Sequence, residues 1–190
     1  LDKATGQRMF SVLQNMKKNL ILDQTRGQKD VELYAKVAPA VVLIVTTKGF
    51  GSGAIIDPQG HVITNAHVVG QSSEVDVVLK PLRGKEIKAL KATVEKIDEL
   101  ADLALLRISN PPISLPYLKL GDAASVSVAQ DVHAIGHPLG EVWTYTKGII
   151  SQIRDNYEWV GDDGHVHRAK VLQTQTPMNP GNSGGPLFDD

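Results

Sequence analysis

Cysteine is absent from this 190-residue sequence, so no disulfide stabilises the fold and any metal site would lack thiolate ligands. The sequence also lacks an excess of charge of one sign: 20 Lys and Arg oppose 21 Asp and Glu, and the formal net charge is −1. A chain so nearly neutral has no general electrostatic attraction to nucleic acid or to an anionic membrane. Long apolar runs are missing as well, since stretches such as 37–45 fall short of the roughly 20 residues that span a bilayer.

Hydrophobic residues make up 42% of the chain, enough to form one large core or two smaller ones. Segments rich in β-branched residues and bounded by turn residues predict strands over most of the sequence. The predicted strands cover 41–47, 54–57, 61–64, 75–80, 103–108, 132–135, 146–153 and 170–175. The strand at 103–108 is apolar on both faces, which predicts that it is buried on both. Residues 85–100 are ambiguous, because their apolar residues also recur at helical spacing.

Two further segments differ from this pattern. Apolar residues three and four apart predict an amphipathic helix over 5–22, followed by a polar linker at 23–30. This helix could pack on its own domain or against another copy of the chain. Residues 156–168 are polar and predict a solvated hairpin or loop.

Near the end of the sequence, residues 179–186 are Asn-Pro-Gly-Asn-Ser-Gly-Gly-Pro. Proline and glycine exclude a helix interior here, so the segment predicts a tight loop with free backbone N–H groups. The Ser183 hydroxyl could attack a carbonyl in such a loop, and the N–H groups of Gly181 and Ser183 could bind the resulting oxyanion. Considered alone, the same segment favours an ordinary Gly/Pro turn over a catalytic loop.

A serine nucleophile needs a base and a group that orients that base. His67 and Asp102 lie upstream of Ser183, which gives the chain order His, Asp, Ser. Subtilisins have the order Asp, His, Ser, and α/β-hydrolases have Ser, Asp or Glu, His. Residues 181–185 also match the G-x-S-x-G nucleophile elbow, but that arrangement places the acid and the histidine after the serine.

Six motifs in register make the sequence resemble the trypsin-like serine proteases of the bacterial HtrA/Deg type. They lie at 51–57, 64–69, 101–106, 134–140, 146–151 and 179–187, and together they cover roughly residues 35–190. The resemblance implies an all-β fold of two antiparallel, six-stranded-type β-barrels, and it places a strand at 92–97. Proteases of this type are usually extracytoplasmic and do not depend on disulfides, which fits the absence of cysteine.

The resemblance also implies a domain organisation. Residues 1–30 form the N-terminal helix and linker, 31–109 the first barrel, 110–120 the proline-rich connector and 121–190 the second barrel. We expect the second barrel to be incomplete, because only about four of its strands can be drawn before the protease domain is cut short at its C-terminal side.

Roles for the site residues follow from the same resemblance. Ser183 is expected to be the nucleophile, His67 the general base and Asp102 the group that orients His67, with the N–H groups of Gly181 and Ser183 as the oxyanion hole. Asn182 occupies the place of an aspartate that forms an ion pair with a freed N-terminus in digestive enzymes. An amide cannot form that pair, so we expect loop ordering to be the switch, with 179–182 malformed in the isolated chain.

The expected function is that of a serine endopeptidase, a hydrolase that cuts unfolded or misfolded polypeptides through an acyl-enzyme. The alternatives are a catalytically silent trypsin-fold scaffold or peptide-binding module, and a serine-dependent esterase. No metal or organic cofactor, nucleic acid or membrane-spanning segment is expected. The resemblance implies a homo-oligomer, a trimer, in the periplasm or another extracytoplasmic compartment.

Two pairs of histidines are candidate ligands for a metal ion. His133 and His137 are four residues apart, and His165 and His167 are two apart. Zinc or copper could bind if the pairs met across a barrel, but the sequence offers no cysteine to complete the ligand set. We therefore expect no functional metal site.

Overall fold

The computed structural model describes residues 27–81, 86–161 and 164–189. The helix predicted over 5–22 lies outside these residues. The first described element is helix α1 (Gln28–Val37), so the last three residues of the predicted linker are helical, and a helix lies where the first barrel was expected to begin. This helix buries Tyr34 and Val37, and Asp30 in its first turn and Lys36 in its last complement the helix dipole.

The first barrel is closed and six-stranded, with strand order β1-β2-β3-β6-β5-β4 and antiparallel pairing. Its strands are β1 (Val41–Val45), β2 (Phe50–Ile55), β3 (His61–Thr64), β4 (Glu74–Val78), β5 (Ala89–Asp98) and β6 (Leu103–Ile108). A four-residue helix, α2 (Ala66–Val69), follows β3. Valine, isoleucine and leucine side chains from all six strands fill the interior. Closure removes free strand edges and fixes the two turns that carry His67 and Asp102.

Strand β5 resolves the ambiguity at 85–100 in favour of a strand. It pairs with β4 and β6 and carries a bulge between Val94 and Lys96. Ile97 and Leu100, which contribute to the helical spacing, are exposed instead of forming a buried stripe. Strand β6 has the predicted bounds, but it is buried on one face only, because its side chains alternate and Leu103 is 46% exposed.

The second half forms a four-stranded antiparallel sheet with the order β10-β7-β8-β9. Its strands are β7 (Asp131–Gly136), β8 (Thr144–Val160), β9 (Val166–Thr174) and β10 (Leu187–Phe188). A second apolar cluster, which includes Tyr34, Leu43, Ile135 and Trp143, joins α1 and β1 to β7. The chain is therefore mostly β, with one closed barrel and a half-barrel, as predicted.

Strands β8 and β9 extend much further than predicted. They remain paired as far as Val160 opposite Val166, so the polar segment 156–168 is part of a hairpin, one of the two predicted alternatives, with longer strands than expected. This long hairpin contacts the first barrel, where the Arg168 N–H donates to Leu100 O at 2.8 Å and His167 Nδ1 lies 2.7 Å from Glu99 O. The hairpin thus supports the turn that leads to Asp102. None of the helices described is long and apolar enough to cross a bilayer.

Candidate active site

Asp102 is held in a tight turn between β5 and β6. Its φ of 53° lies in the left-handed region, which aspartate tolerates better than most residues. The side chain of Asn65 donates to Asp102 O at 2.7 Å and fixes this turn to the end of β3. The carboxylate is nearly buried, with 10% of the side chain exposed.

His67 lies on α2, one turn beyond β3, and faces Asp102. Its Nδ1 is 2.8 Å from Asp102 Oδ2, and its backbone N–H donates to Asp102 Oδ1 at 3.0 Å. Both carboxylate oxygens are therefore engaged by one histidine. A proton on Nδ1 donates to the carboxylate, which leaves the Nε2 lone pair as the basic atom of the ring.

The loop that carries Ser183 is tightly hydrogen-bonded. The Asn182 N–H donates to Asn179 O at 3.0 Å, and the Gly185 N–H donates to Asn182 O at 2.8 Å. Gly184 has a φ of 82°, and a Cβ there would overlap the Thr64 hydroxyl, so only glycine fits this close approach.

His67 and Ser183 line the same cleft, which has a volume of about 670 Å³. Other residues around it come from 46–50, Asn65, Val68 and 178–185. Within the described part of the chain, Ser183 Oγ makes no hydrogen bond with His67 Nε2. In apo enzymes such catalytic hydrogen bonds are often long and tighten only when substrate binds. Two of the three predicted residues, His67 and Ser183, thus line one cleft, and the third, Asp102, contacts His67 directly.

The backbone hydrogen bonds around Gly181 test the expectation that residues 179–182 are malformed. The Leu139 N–H donates to Pro180 O at 2.9 Å. A trans peptide points its N–H opposite its C=O, so the Gly181 N–H faces away from the turn at 138–140. Neither Gly181 N–H nor Ser183 N–H has an acceptor among the described residues. The hydrogen bonds of this loop oppose the expectation of malformation at 179–182.

Asn182 is buried and packs against β7. A Cβ at Gly136 would overlap Asn182 Oδ1, so Gly136 provides the space for this amide. The Asn182 side chain therefore lies where β7 meets the nucleophile loop, and it helps to place Ser183 without an ion pair.

Sequence reasoning missed two fully buried polar residues beside this loop, Ser52 and His137. His137 Nδ1 lies 2.8 Å from Ser52 Oγ, and the Ser52 hydroxyl donates to Gly181 O at 2.7 Å. Burial, with a smaller contribution from the charge on Lys80, lowers the pKa of His137 to about 3. The sequence pointed to these two residues in one way only: each lies within one of the six motifs on which the family resemblance rests.

The candidate metal-ligand histidines make other contacts. His133 Nδ1 bonds to the Tyr145 hydroxyl, His137 Nδ1 to Ser52 and His167 Nδ1 to Glu99 O. In the part of the chain that the structure describes, no group of three or more potential ligands converges.

Comparison with known proteins places these features in a family. Residues 51–190 match the model of the trypsin-like peptidase domain. A probable periplasmic serine endoprotease, DegP-like, from Pseudomonas fluorescens is 39% identical over 142 residues, which cover 75% of this chain and 27% of that protein. The chain spans 27% to 40% of the length of the first curated relatives that it matches.

Solved structures agree with the sequence comparison. Deg5 superposes with a TM-score of 0.72 at 29% identity, over 88% of this chain and 83% of that one. The HtrA-type protease AlgW, solved with a tripeptide, gives a TM-score of 0.69 at 32% identity, over 84% of this chain and 50% of that one. The chain described here therefore belongs to the trypsin-like peptidases of the HtrA type.

Proposed function

We propose that this chain is the catalytic part of a serine endopeptidase in which Ser183, His67 and Asp102 act as a triad. The observation that carries the proposal is the double contact of His67 with Asp102, at 2.8 and 3.0 Å, in the cleft that Ser183 also lines. A buried carboxylate that fixes both the ring and the backbone of one histidine is suited to holding a general base in a single tautomer.

In the proposed reaction, Ser183 Oγ attacks the carbonyl carbon of a peptide bond while His67 Nε2 takes the hydroxyl proton. The imidazolium that forms is stabilised by Asp102, and it returns the proton to the departing amine as the C–N bond breaks. Water then attacks the acyl-enzyme with His67 again as the base, and the released acid leaves Ser183 as a hydroxyl.

The developing oxyanion would be bound by the N–H groups of Gly181 and Ser183. Both lie on the cleft, and neither has a protein acceptor among the described residues, so they are available to a substrate oxygen. Removing one such donor costs about 3 kcal/mol of transition-state stabilisation in serine proteases.

We propose unfolded or misfolded polypeptides as substrates, because the cleft has to admit an extended segment of chain on both sides of the scissile bond. A periplasmic or other extracytoplasmic location is proposed from the DegP-like relatives. We further propose a homo-oligomer, a trimer, as the assembly.

The test is digestion of casein and of a folded control protein by the wild type and by Ser183→Ala. We expect casein fragments from the wild type only, and little cutting of the folded control. Release of a simple ester without casein cleavage would indicate an esterase instead. Peptide binding with neither activity would indicate a silent scaffold and overturn the proposal.

A further inference from the structure

Ser52 contacts the nucleophile loop at two points, one on each side of Asn182. Its backbone N–H donates to Ser183 O at 2.7 Å, and its hydroxyl donates to Gly181 O at 2.7 Å. Ser52 is fully buried on β2, and the Thr64 hydroxyl donates to Ser52 O at 2.7 Å. A residue of the closed barrel therefore holds the loop that the second sheet supplies.

His137 completes this arrangement from the other side. The Ser52 hydroxyl has one proton, which it donates to Gly181 O, so it must accept a hydrogen bond from His137 Nδ1–H at 2.8 Å. This series of hydrogen bonds runs from His137 through Ser52 to Gly181 O. It fixes His137 as the Nδ1–H tautomer and leaves Nε2 unprotonated, in keeping with the absence of a partner for this atom within the described residues.

The surroundings of His137 keep the ring neutral. The ring is fully buried with its centroid 4.9 Å from that of Trp143, and Lys80 Nζ lies 5.1 Å from the centre of the Trp143 ring. Both burial and the nearby ammonium oppose a second positive charge. A neutral ring donates through one nitrogen only. The direction of the hydrogen bonds from His137 to Ser52 and from Ser52 to Gly181 therefore stays the same near neutral pH.

Glycine at 181 makes such a restraint necessary. Gly181 has a φ of 103°, and a glycine rotates between positive and negative φ at little cost. The Gly181 N–H belongs to the Pro180–Gly181 peptide, and a flip of that peptide, which Gly181 accommodates through φ, would turn the N–H away from the cleft. The Leu139 N–H holds the preceding carbonyl, and Ser52 holds the carbonyl of Gly181 itself.

We propose that Ser52 and His137 are positioning residues that hold the Gly181–Asn182 peptide so that the Gly181 N–H stays aimed at the substrate carbonyl. The inference rests on the proposed function. Neither side chain touches substrate, since both are fully buried behind the loop. Their effect is on the oxyanion that forms in the transition state, so it falls on kcat more than on KM.

The kinetic test compares two matched pairs of variants on a peptide substrate. Ser52→Ala and His137→Leu each remove a hydrogen bond of the His137–Ser52–Gly181 series. For both variants we expect kcat to fall about 10-fold or more, with KM within about twofold of the wild type. His137→Asn keeps an N–H donor near the position of Nδ1 and should retain kcat within about threefold. Ser151→Ala removes a buried hydroxyl that has no hydrogen-bond partner among the described residues and should change neither constant. Equal kcat for Ser52→Ala and wild type, or equal losses for His137→Asn and His137→Leu, would overturn the proposal.

A second measurement does not depend on activity. NMR of the wild type labelled with ¹⁵N-histidine should show His137 as the Nδ1–H tautomer from pH 8 to below pH 5. In Ser52→Ala, amide exchange at Leu139 and Asn182 should rise about 10-fold or more, because both N–H groups bond within this loop. An Nε2–H tautomer, or unchanged exchange, would refute the positioning role. Absence of Ser183-dependent turnover in the wild type would count against the proposed function alone.

Discussion

Acid should destabilise this protein through His137, and the size of the effect follows from its burial. In the folded chain the pKa of His137 is about 3, whereas an unperturbed histidine has a pKa of 6.5. Between these two values the unfolded chain binds a proton that the folded chain does not. Stability is therefore fully present above pH 6.5 and is lost as the pH falls towards 3. Each pH unit is worth about 1.4 kcal/mol, so the loss from this one residue by pH 4 is about 3 kcal/mol.

Urea unfolding of the wild type and His137→Asn, at pH 7 and again at pH 4, measures this loss. Tryptophan fluorescence is a suitable signal, because the Trp143 ring lies against His137 and is 4% exposed. Other titrating groups, such as Asp57 with its lowered pKa, are common to both proteins and cancel in the comparison. The wild type should lose about 3 kcal/mol more than the variant between the two pH values. Equal losses, within about 0.5 kcal/mol, would show that the reasoning from burial is wrong.

Two further predictions concern the site itself. Asp102→Asn should lower kcat by about 10³- to 10⁴-fold on a peptide substrate with the fold intact by circular dichroism, because an amide N–H would force the wrong tautomer on His67; a loss below tenfold would contradict the role given to Asp102. Gly184→Ala should lower the free energy of unfolding by at least about 2 kcal/mol more than Gly164→Ala, in thermal or urea unfolding. Both glycines have positive φ, but a Cβ at Gly184 overlaps Thr64, whereas one at Gly164 meets no described residue within 4 Å. Equal effects would therefore contradict the packing described for the loop.

Local patterns predicted the first barrel well. Strands β3 and β6 have the predicted bounds, since each is a β-branched or leucine-rich run ended by a distinct turn. His67 lies three residues after β3, Asp102 immediately precedes β6, and β3 pairs with β6, so the pairing brings the two residues together. Their contact could therefore be predicted from the sequence, through the order of the residues along the chain and the family resemblance.

Other features depend on contacts that no local pattern records. Helix α1 is short and mostly polar, and it is fixed by Tyr34, whose hydroxyl donates to Trp143 O, 109 residues away. The length of the β8–β9 strands could not be predicted, because much of this hairpin is exposed and its polar sequence is also typical of a loop. The Ser52–His137 contact joins residues 85 apart, and nothing in either motif indicates that the two side chains meet.

The central claim is that the Ser183 hydroxyl is activated by His67, and covalent labelling tests it most directly. The protein is treated with a fluorophosphonate, digested with a second protease and analysed by mass spectrometry, beside His67→Ala and Ser183→Ala. The account predicts one phosphonylated residue in the wild type, Ser183, with labelling slowed at least about 100-fold in His67→Ala and absent in Ser183→Ala. Labelling at another residue, or no labelling of the wild type under conditions that modify a trypsin control, would contradict it.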